Sequence, residues 1–567
     1  MSRSRSFVAV LLVVLLAGCA GVPTSGPVEH HTPQSNGLGS DVRVDPLPPA
    51  DGASQLLVVE GFLHAMSVYQ AGYTVARQYL TEAASQAWHP EAGVQVYTET
   101  DPPVESEQGV ALSGMLVGTV DPAGVYLPVN TPLRRSFALM KNSAGQWRIS
   151  NPPDGLLVSR YLFSTNFTSL NLHYLDAAGT VLVPDPRYFA TGEQSLAAAL
   201  RAQLDGPSEW LAPAVRTPET REVVVDSALV DTDGLLDIRL GNGAEQLSVE
   251  DRQTVLAQLA YTLTELPQVT SIKVSGNGQL WRSEHGQDEI RPDLFPQLSP
   301  ANVSAPRSLF VAKEGKLQRL RNSEEWNDLE TVEVNLPTPE AFAVRTDLME
   351  VAAITEKGGR LAVASVNSGK TRELRSGQGL LRPAYARNGE LWSPATSGLS
   401  GLRVYRDGIA QKIELADVPG GQLVAAALSP DGARIALVVR RGNGVEVGLA
   451  VVERSDSGIL LAGWRSLDLT LNAATAGTAL DVGWASESEL LVLRTGGALE
   501  VSVTRQSQDG STSTDLGPSE SAALTRLAVM AGRQAVALTN GGVAYRFDGE
   551  FNWSLVFTAV DAVAYSG

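Results

Sequence analysis

One thiol, six imidazoles and 62 carboxylates are the groups from which acid–base, nucleophilic or metal chemistry would have to be built in this chain. The imidazoles are His30, His31, His64, His89, His173 and His285, and none lies beyond His285. Half of the protein therefore lacks both the commonest acid–base residue and the commonest metal ligand. Cys19 is the sole cysteine, so no intrachain disulfide and no cysteine-based zinc site can form. Ser368-Gly369-Lys370-Thr371 is half a phosphate loop; Ala364 stands where its first glycine belongs and no helix is expected to follow. Asp231-Thr232-Asp233-Gly234 lacks the third ligand and the distal glutamate of a calcium loop, and reads as a hairpin turn. No G-x-S-x-G elbow occurs. Spacing alone pairs no two carboxylates as a glycosidase requires. The adjacent His30-His31 reads as solvated. No catalytic residue, metal site or cofactor is assigned, and the chain is expected to bind rather than to catalyse.

The strongest chemical signal is at the start. Arg3 and Arg5 precede an eleven-residue apolar run over 7–17, within the roughly 7–15 residues of a secretory leader and short of the roughly 20 that span a bilayer. The run ends in Leu16-Ala17-Gly18-Cys19, which resembles a bacterial lipobox. Small Ala17 and Gly18 let the backbone enter a peptidase cleft, with cleavage between Gly18 and Cys19. The Cys19 thiol can carry an S-diacylglycerol thioether, and its freed amine an N-acyl chain such as palmitate. Residues 1–18 are thus expected to be a lipoprotein signal peptide, and residues 19–50, rich in Pro and Gly, a tether. Losing Arg3 and Arg5 moves the net charge from −18 to −20. Anionic headgroups give so acidic a protein no help, and anchoring must rest on the acyl chains. The expected location is the extracytoplasmic face of the cell membrane, through the lipid anchor.

The elements that follow are read from composition and period. At roughly 100–200 residues per domain, 567 residues suggest three or four. Hydrophobic residues at 43%, with 53 glycines and 31 prolines, point to a turn-rich, β-rich chain with real cores. The acidic balance excludes a generic nucleic-acid binder. Val59, Phe62, Leu63 and Met66 predict a helix from Ser54, its N-cap, to about residue 70, and a second helix is expected over 73–85. Alternating segments then suggest an antiparallel sheet, making residues 51–160 an α+β domain, possible as an NTF2-like cone. His64, His89 and Glu60 could line a pocket there, though a surface position is the simpler reading.

Residues 168–284 read as strand, turn, strand, a helix carrying Leu196, Leu200 and Leu204, two strands, a helix opened by a capping box at Ser248 and Asp251, and a last strand over 269–274. The stretch ending Leu204-Asp205-Gly206-Pro207, with Tyr261-Thr262-Leu263-Thr264-Glu265-Leu266-Pro267, resembles a GerMN module, an α+β binding or assembly fold without catalytic residues. From 305 to 567 the pattern is β throughout. A weak repeat, in which a turn joins two apolar strands, recurs near 358, 388, 431, 487 and 531, including Ser429-Pro430-Asp431-Gly432. Propeller blades repeat every ~40–50 residues, so a β-propeller of about six blades is expected, with a pair of β-sandwiches as the alternative.

Taken together, lipobox, tether, α+β region, GerMN-like module and propeller resemble the LpqB-type lipoproteins of actinobacteria. The pattern Val59-Glu60-Gly61-Phe62, Ala76-Arg77-Gln78-Tyr79-Leu80-Thr81, Trp88 and Pro90 belongs to that resemblance. It implies an extracytoplasmic accessory of the MtrA–MtrB two-component system that contacts the extracellular domain of the sensor histidine kinase MtrB and so affects envelope homeostasis and division. An envelope glycan or ligand receptor, or a glycan-acting enzyme using the propeller channel, is the competing expectation.

Overall fold

Ser54 opens the first described helix, Gln55–Ser67, and its hydroxyl accepts the Leu57 N–H, satisfying a donor that every helix start leaves open. Val58, Val59, Phe62, Leu63 and Met66 form its buried face. The computed structural model describes residues 45–106, 109–192, 194–300, 308–322, 325–366, 368–468, 477–496, 499–517, 524–549 and 551–567. Residues 46–567 form one unit.

The first helix packs on a four-stranded sheet ordered Tyr126–Phe137, Gly109–Val120, Val94–Ser106, Leu156–Ser159. The sheet is not wholly antiparallel as expected: Leu156–Ser159 returns parallel to Val94–Ser106. The helix expected over 73–85 is two short ones, Thr74–Gln78 and Glu82–Ala87. Between them Leu80 bridges Ile149, the Thr81 N–H donates to the Ile149 carbonyl, and the Thr81 hydroxyl caps the second helix at Ala84. A strand pairing has won over helical period there. A further helix, Arg160–Asn166, is too short for periodicity to reveal.

The second region begins with the hairpin Phe167–Asp176 and Leu182–Ala190. Helices Gln194–Asp205 and Val249–Leu263 cover a sheet ordered Val225–Val230, Leu235–Leu240, Ser271–Gly276, Gln279–Leu280. The capping box is present in both directions between Ser248 and Asp251. Leu236, Ile238 and Leu240 are buried while Asp237 pairs with Arg239 outside, so the strand has the wet face its alternation predicts.

From Leu309 to Tyr565 the described residues form six sheets in chain order. The last strand, Val560–Tyr565, does not start a new sheet; it pairs antiparallel with Leu309–Lys313 and completes the first. The repeat near 358 is out of phase with the others. It joins the two central strands of its sheet, Glu350–Thr355 and Arg360–Ser365, whereas the turns near 388, 431, 487 and 531 each join an edge strand to its neighbour. Buried Ala and Val on both strands make any hairpin of such a sheet look alike in sequence. Ser368-Gly369-Lys370 lies between Arg360–Ser365 and Thr371–Ser376, two paired strands of one sheet, and Thr371 opens the second of them.

Candidate functional site

Six strands converge on one cavity of about 190 Å3: Ala341–Val344, Ala384–Tyr385, Gln422–Leu428, Thr478–Trp484, Leu524–Ala528 and Val560–Tyr565. Each contributes a residue with little or no side chain, Ala343, Ala384, Ala427, Gly483, Ala528 and Ala564, because strands approaching a common axis leave no room for more. Larger side chains, Phe342, Tyr385, Trp484 and Tyr565, fill the gaps between them. The cationic residues of the wall are Arg382 and Arg387. Arg382 forks onto Asp481, with Nη2–Oδ1 at 2.9 Å and Nη1–Oδ2 at 3.1 Å, and also donates to the Val482 and Leu527 carbonyls. Asp481 accepts the Val482 and Leu527 N–H groups as well. Arg382, two residues ahead of Ala384–Tyr385 in the third sheet, thus links that sheet to the fifth and sixth, and Asp481 matches its charge. The cavity lining contains no aspartate, glutamate or histidine side chain among the described residues.

A second constellation lies where the GerMN-like region meets the propeller. Val183, Leu211 and Ala214 pack on Ala433 and Val451. The Trp210 indole donates to the Gly463 carbonyl, and Arg465 lies 4.3 Å from the centre of its ring. Burial there pushes the Arg465 guanidinium down to about 10, against the opposing pull of Asp185, Asp509 and Asp121. The Tyr188 hydroxyl donates to Ser511 at 2.6 Å, and Arg387 donates to the Gln297 and Ser299 carbonyls. The Ser429-Pro430-Asp431-Gly432 turn is drawn into this seam. Gly432 adopts φ +78°, and Asp431 folds back on the Ala433 N–H and on Arg434. Arg434, with no exposed surface, also reaches Gln508, the Pro184 carbonyl across the seam at 3.2 Å and the Glu487 carbonyl at 3.2 Å. The turn therefore serves as a docking point as well as a hairpin.

Within the seam, His173 is 1% exposed, on the strand Phe167–Asp176. Gln203 clamps its backbone, accepting its N–H at 3.0 Å and donating to its carbonyl at 3.0 Å. The Thr262 hydroxyl donates to Gln203 Oε1 at 2.7 Å and lies 3.3 Å from His173 Nδ1. Nε2 has no hydrogen-bond partner, and Glu487 Oε1 stands 3.9 Å from it. Glu265, just past helix Val249–Leu263, completes the group, and the ligand atoms of His173, Glu265 and Glu487 lie within 4.8 Å of one another. Asn171 orients Glu265 through its N–H at 3.0 Å and its amide at 3.2 Å. Desolvation holds the Glu265 carboxyl above its ordinary range, only partly offset by His173 and Asn171.

Of the residues singled out in the sequence, Gly18, Cys19, His30 and His31 lie outside the described residues. Glu60 and His89 are exposed, His64 is half-buried, and His89 pairs with Glu91 at 3.1 Å. Asp231 accepts the N–H groups of Asp233 and Leu235, which makes Asp231-Thr232-Asp233-Gly234 a turn. His173 was passed over. Its one sequence signal is a histidine at an apolar strand position between Leu172 and Tyr174, and its partners come from distant segments.

Two α+β regions followed by a propeller whose channel is lined by small side chains define a multidomain, β-rich architecture. Three family models match along the chain: "Lipoprotein LpqB, N-terminal domain" over residues 48–164, "Sporulation and spore germination" over 171–280 and "Lipoprotein LpqB beta-propeller domain" over 315–563. The chain is 28% identical to Lipoprotein LpqB of Cutibacterium acnes over 99% of both chains. It is 26% identical to that of Streptomyces avermitilis over 98% of this chain and 96% of the relative. With the Thermobifida fusca protein it shares 32% identity over 54% of this chain and 52% of the other. The chain belongs to the LpqB lipoprotein family.

Proposed function

We propose that the protein is a lipid-anchored accessory of the MtrA–MtrB two-component system, held at the extracytoplasmic face of the cell membrane through Cys19, which binds the extracellular domain of the sensor kinase MtrB. The observation that carries a binding role is the build of the folded body. The GerMN-like domain is clasped to the propeller by a buried seam, and Arg160 at the end of the N-terminal domain donates to the propeller's Ser511 carbonyl, so the folded body is a joined, multidomain platform. No helix of the described residues is long and apolar enough to cross a membrane, which agrees with attachment by acyl chains. An anchor on the kinase's own membrane face raises the effective concentration of the pair. Contact that favours one kinase state over the other then shifts its population without any catalysis.

Titrating a soluble chain from residue 46 onward against the purified MtrB extracellular domain tests this. Saturable binding is expected, and its absence from a folded chain removes direct contact from the proposal. The anchor is tested separately: Cys19→Ala is expected to move the protein from the membrane to the soluble fraction.

The channel cavity supports a second reading, a receptor for a small envelope ligand. A glycan-acting enzyme fits it less well, since such chemistry uses a pair of Asp or Glu carboxyl groups roughly 5–9.5 Å apart and the described lining has no Asp or Glu side chain.

A further inference from the structure

We infer that His173, Glu265 and Glu487 form a divalent-cation site, suited to zinc, that ties the GerMN-like domain to the propeller. The inference begins with the tautomer of His173. Gln203 donates its amide to the His173 carbonyl, so its oxygen is the atom facing Thr262, and an oxygen of this kind can only accept. The Thr262 proton is thereby committed to Gln203, and the Thr262 oxygen is left to accept from His173. Nδ1 must then carry the ring proton of the neutral imidazole, and Nε2 presents a bare lone pair. Orientation through the second nitrogen is what a metal-bound histidine requires.

That lone pair is buried, unpartnered and aimed at two carboxylates. Three electron-rich groups without a donor among them repel one another, and Arg434, which donates to the Glu487 backbone carbonyl, has its charge matched by Asp431. A cation between the three resolves the conflict. One imidazole nitrogen and two carboxylate oxygens suit zinc, and a water can take the fourth position. Magnesium and calcium prefer oxygen-only shells. Tetrahedral zinc with bonds of about 2.0–2.2 Å holds its ligand atoms roughly 3.4 Å apart. From 4.8 Å at most the group has to close by an ångström or so, within reach of two glutamate side chains, one of them exposed. Two ligands belong to the GerMN-like domain and the third, Glu487, to the turn after strand Thr478–Trp484. The ion would bind only the docked arrangement and so stabilise it in proportion to its concentration. None of this depends on the kinase reading.

The test uses the mature chain in detergent, in a His30→Ala, His31→Ala background so that the tether imidazoles contribute nothing. The metal-stripped protein is titrated with Zn2+ against a chromophoric chelator, and its melting temperature is followed in parallel. The expected result is one equivalent bound, a higher melting temperature with zinc that the chelator reverses, and weakening by about tenfold or more in both Glu265→Gln and Glu487→Gln. Those two variants, not a change at buried His173, keep the test independent of folding, because their metal-free melting temperatures are measured alongside. No uptake by the parent chain, or uptake unchanged in both variants, overturns the site; no uptake would mean that His173 and Glu487 share only a proton.

Discussion

Glu390 has no exposed surface, yet its carboxyl is held ionised. Burial acts to raise it, but the charge and hydrogen bonds of Arg454, at 3.0 Å and 3.1 Å, and the 2.8 Å bond from Arg406 prevail and set it below its ordinary 4.5. Arg406 belongs to the third sheet of the propeller and Arg454 to the fourth, so one carboxylate braces two sheets. The sign of the pH dependence follows. With the folded value depressed, the unfolded chain binds more protons as acidity rises. The stabilisation is complete above the ordinary carboxyl range and is lost as pH falls below 4.5 toward the folded value. Glu390→Gln is therefore expected to melt lower at neutral pH and to show a shallower loss of melting temperature on acidification. Thermal melts of both proteins down through the carboxylate range measure this, and parallel slopes would refute it. Nothing in the sequence near Glu390 announces the role, because Arg454 arrives from another sheet.

At the scale of elements, Gly61 shows what local sequence does convey. It lies within helix Gln55–Ser67, where glycine is a poor choice by propensity. A Cβ there would stand 2.5 Å from the Tyr79 hydroxyl oxygen and 2.6 Å from its ring. The missing side chain admits the Tyr79 ring, whose hydroxyl donates to the Leu47 carbonyl at 2.7 Å and pins the start of the folded body. Gly61→Ala gains helix propensity of less than ~1 kcal/mol, but displacing a packed ring costs typically 1–3 kcal/mol. A net loss of stability is expected, measured by urea unfolding; a more stable variant would show that Tyr79 moves freely. Phe62 and Arg77 both meet the Trp88 ring, at 5.4 Å and 5.3 Å. The motif residues Gly61, Phe62, Arg77, Tyr79 and Trp88 are thus one contact set, which is why a short pattern conveyed the family. The capping box and the alternation of 235–240 were legible for a similar reason, since each is fixed within a few residues. The break at Tyr79-Leu80-Thr81, the parallel strand Leu156–Ser159 and the phase of the repeat near 358 were not, since strand pairing at a distance decides them. The His173 group was least legible, with ligands drawn from a strand, a helix end and a propeller turn.

Over the whole molecule, closure of the propeller depends on its last strand. Val560–Tyr565 pairs with Leu309–Lys313 in the register Leu309 to Tyr565 through Ala312 to Ala562, joining the end of the chain to the start of the domain. The same strand supplies Val563, Ala564 and Tyr565 to the channel wall. Without it, Leu309, Phe310, Val311 and Ala312, all buried, would form an open apolar edge, the kind of strand that recruits other chains. The six innermost strands would also lose one wall of their common core. The α+β regions stand differently, because each has its own core and every α-helix of the described residues lies before the propeller. Deleting residues 559–567 is accordingly expected to leave the helical circular-dichroism signal largely intact while the protein elutes as aggregates. The cooperative melting of the β portion should be lost at the same time. A deletion variant that stays monomeric and melts with the intact chain would mean that the propeller holds its ring without its final strand, and that closure comes from the packing of small side chains around the channel.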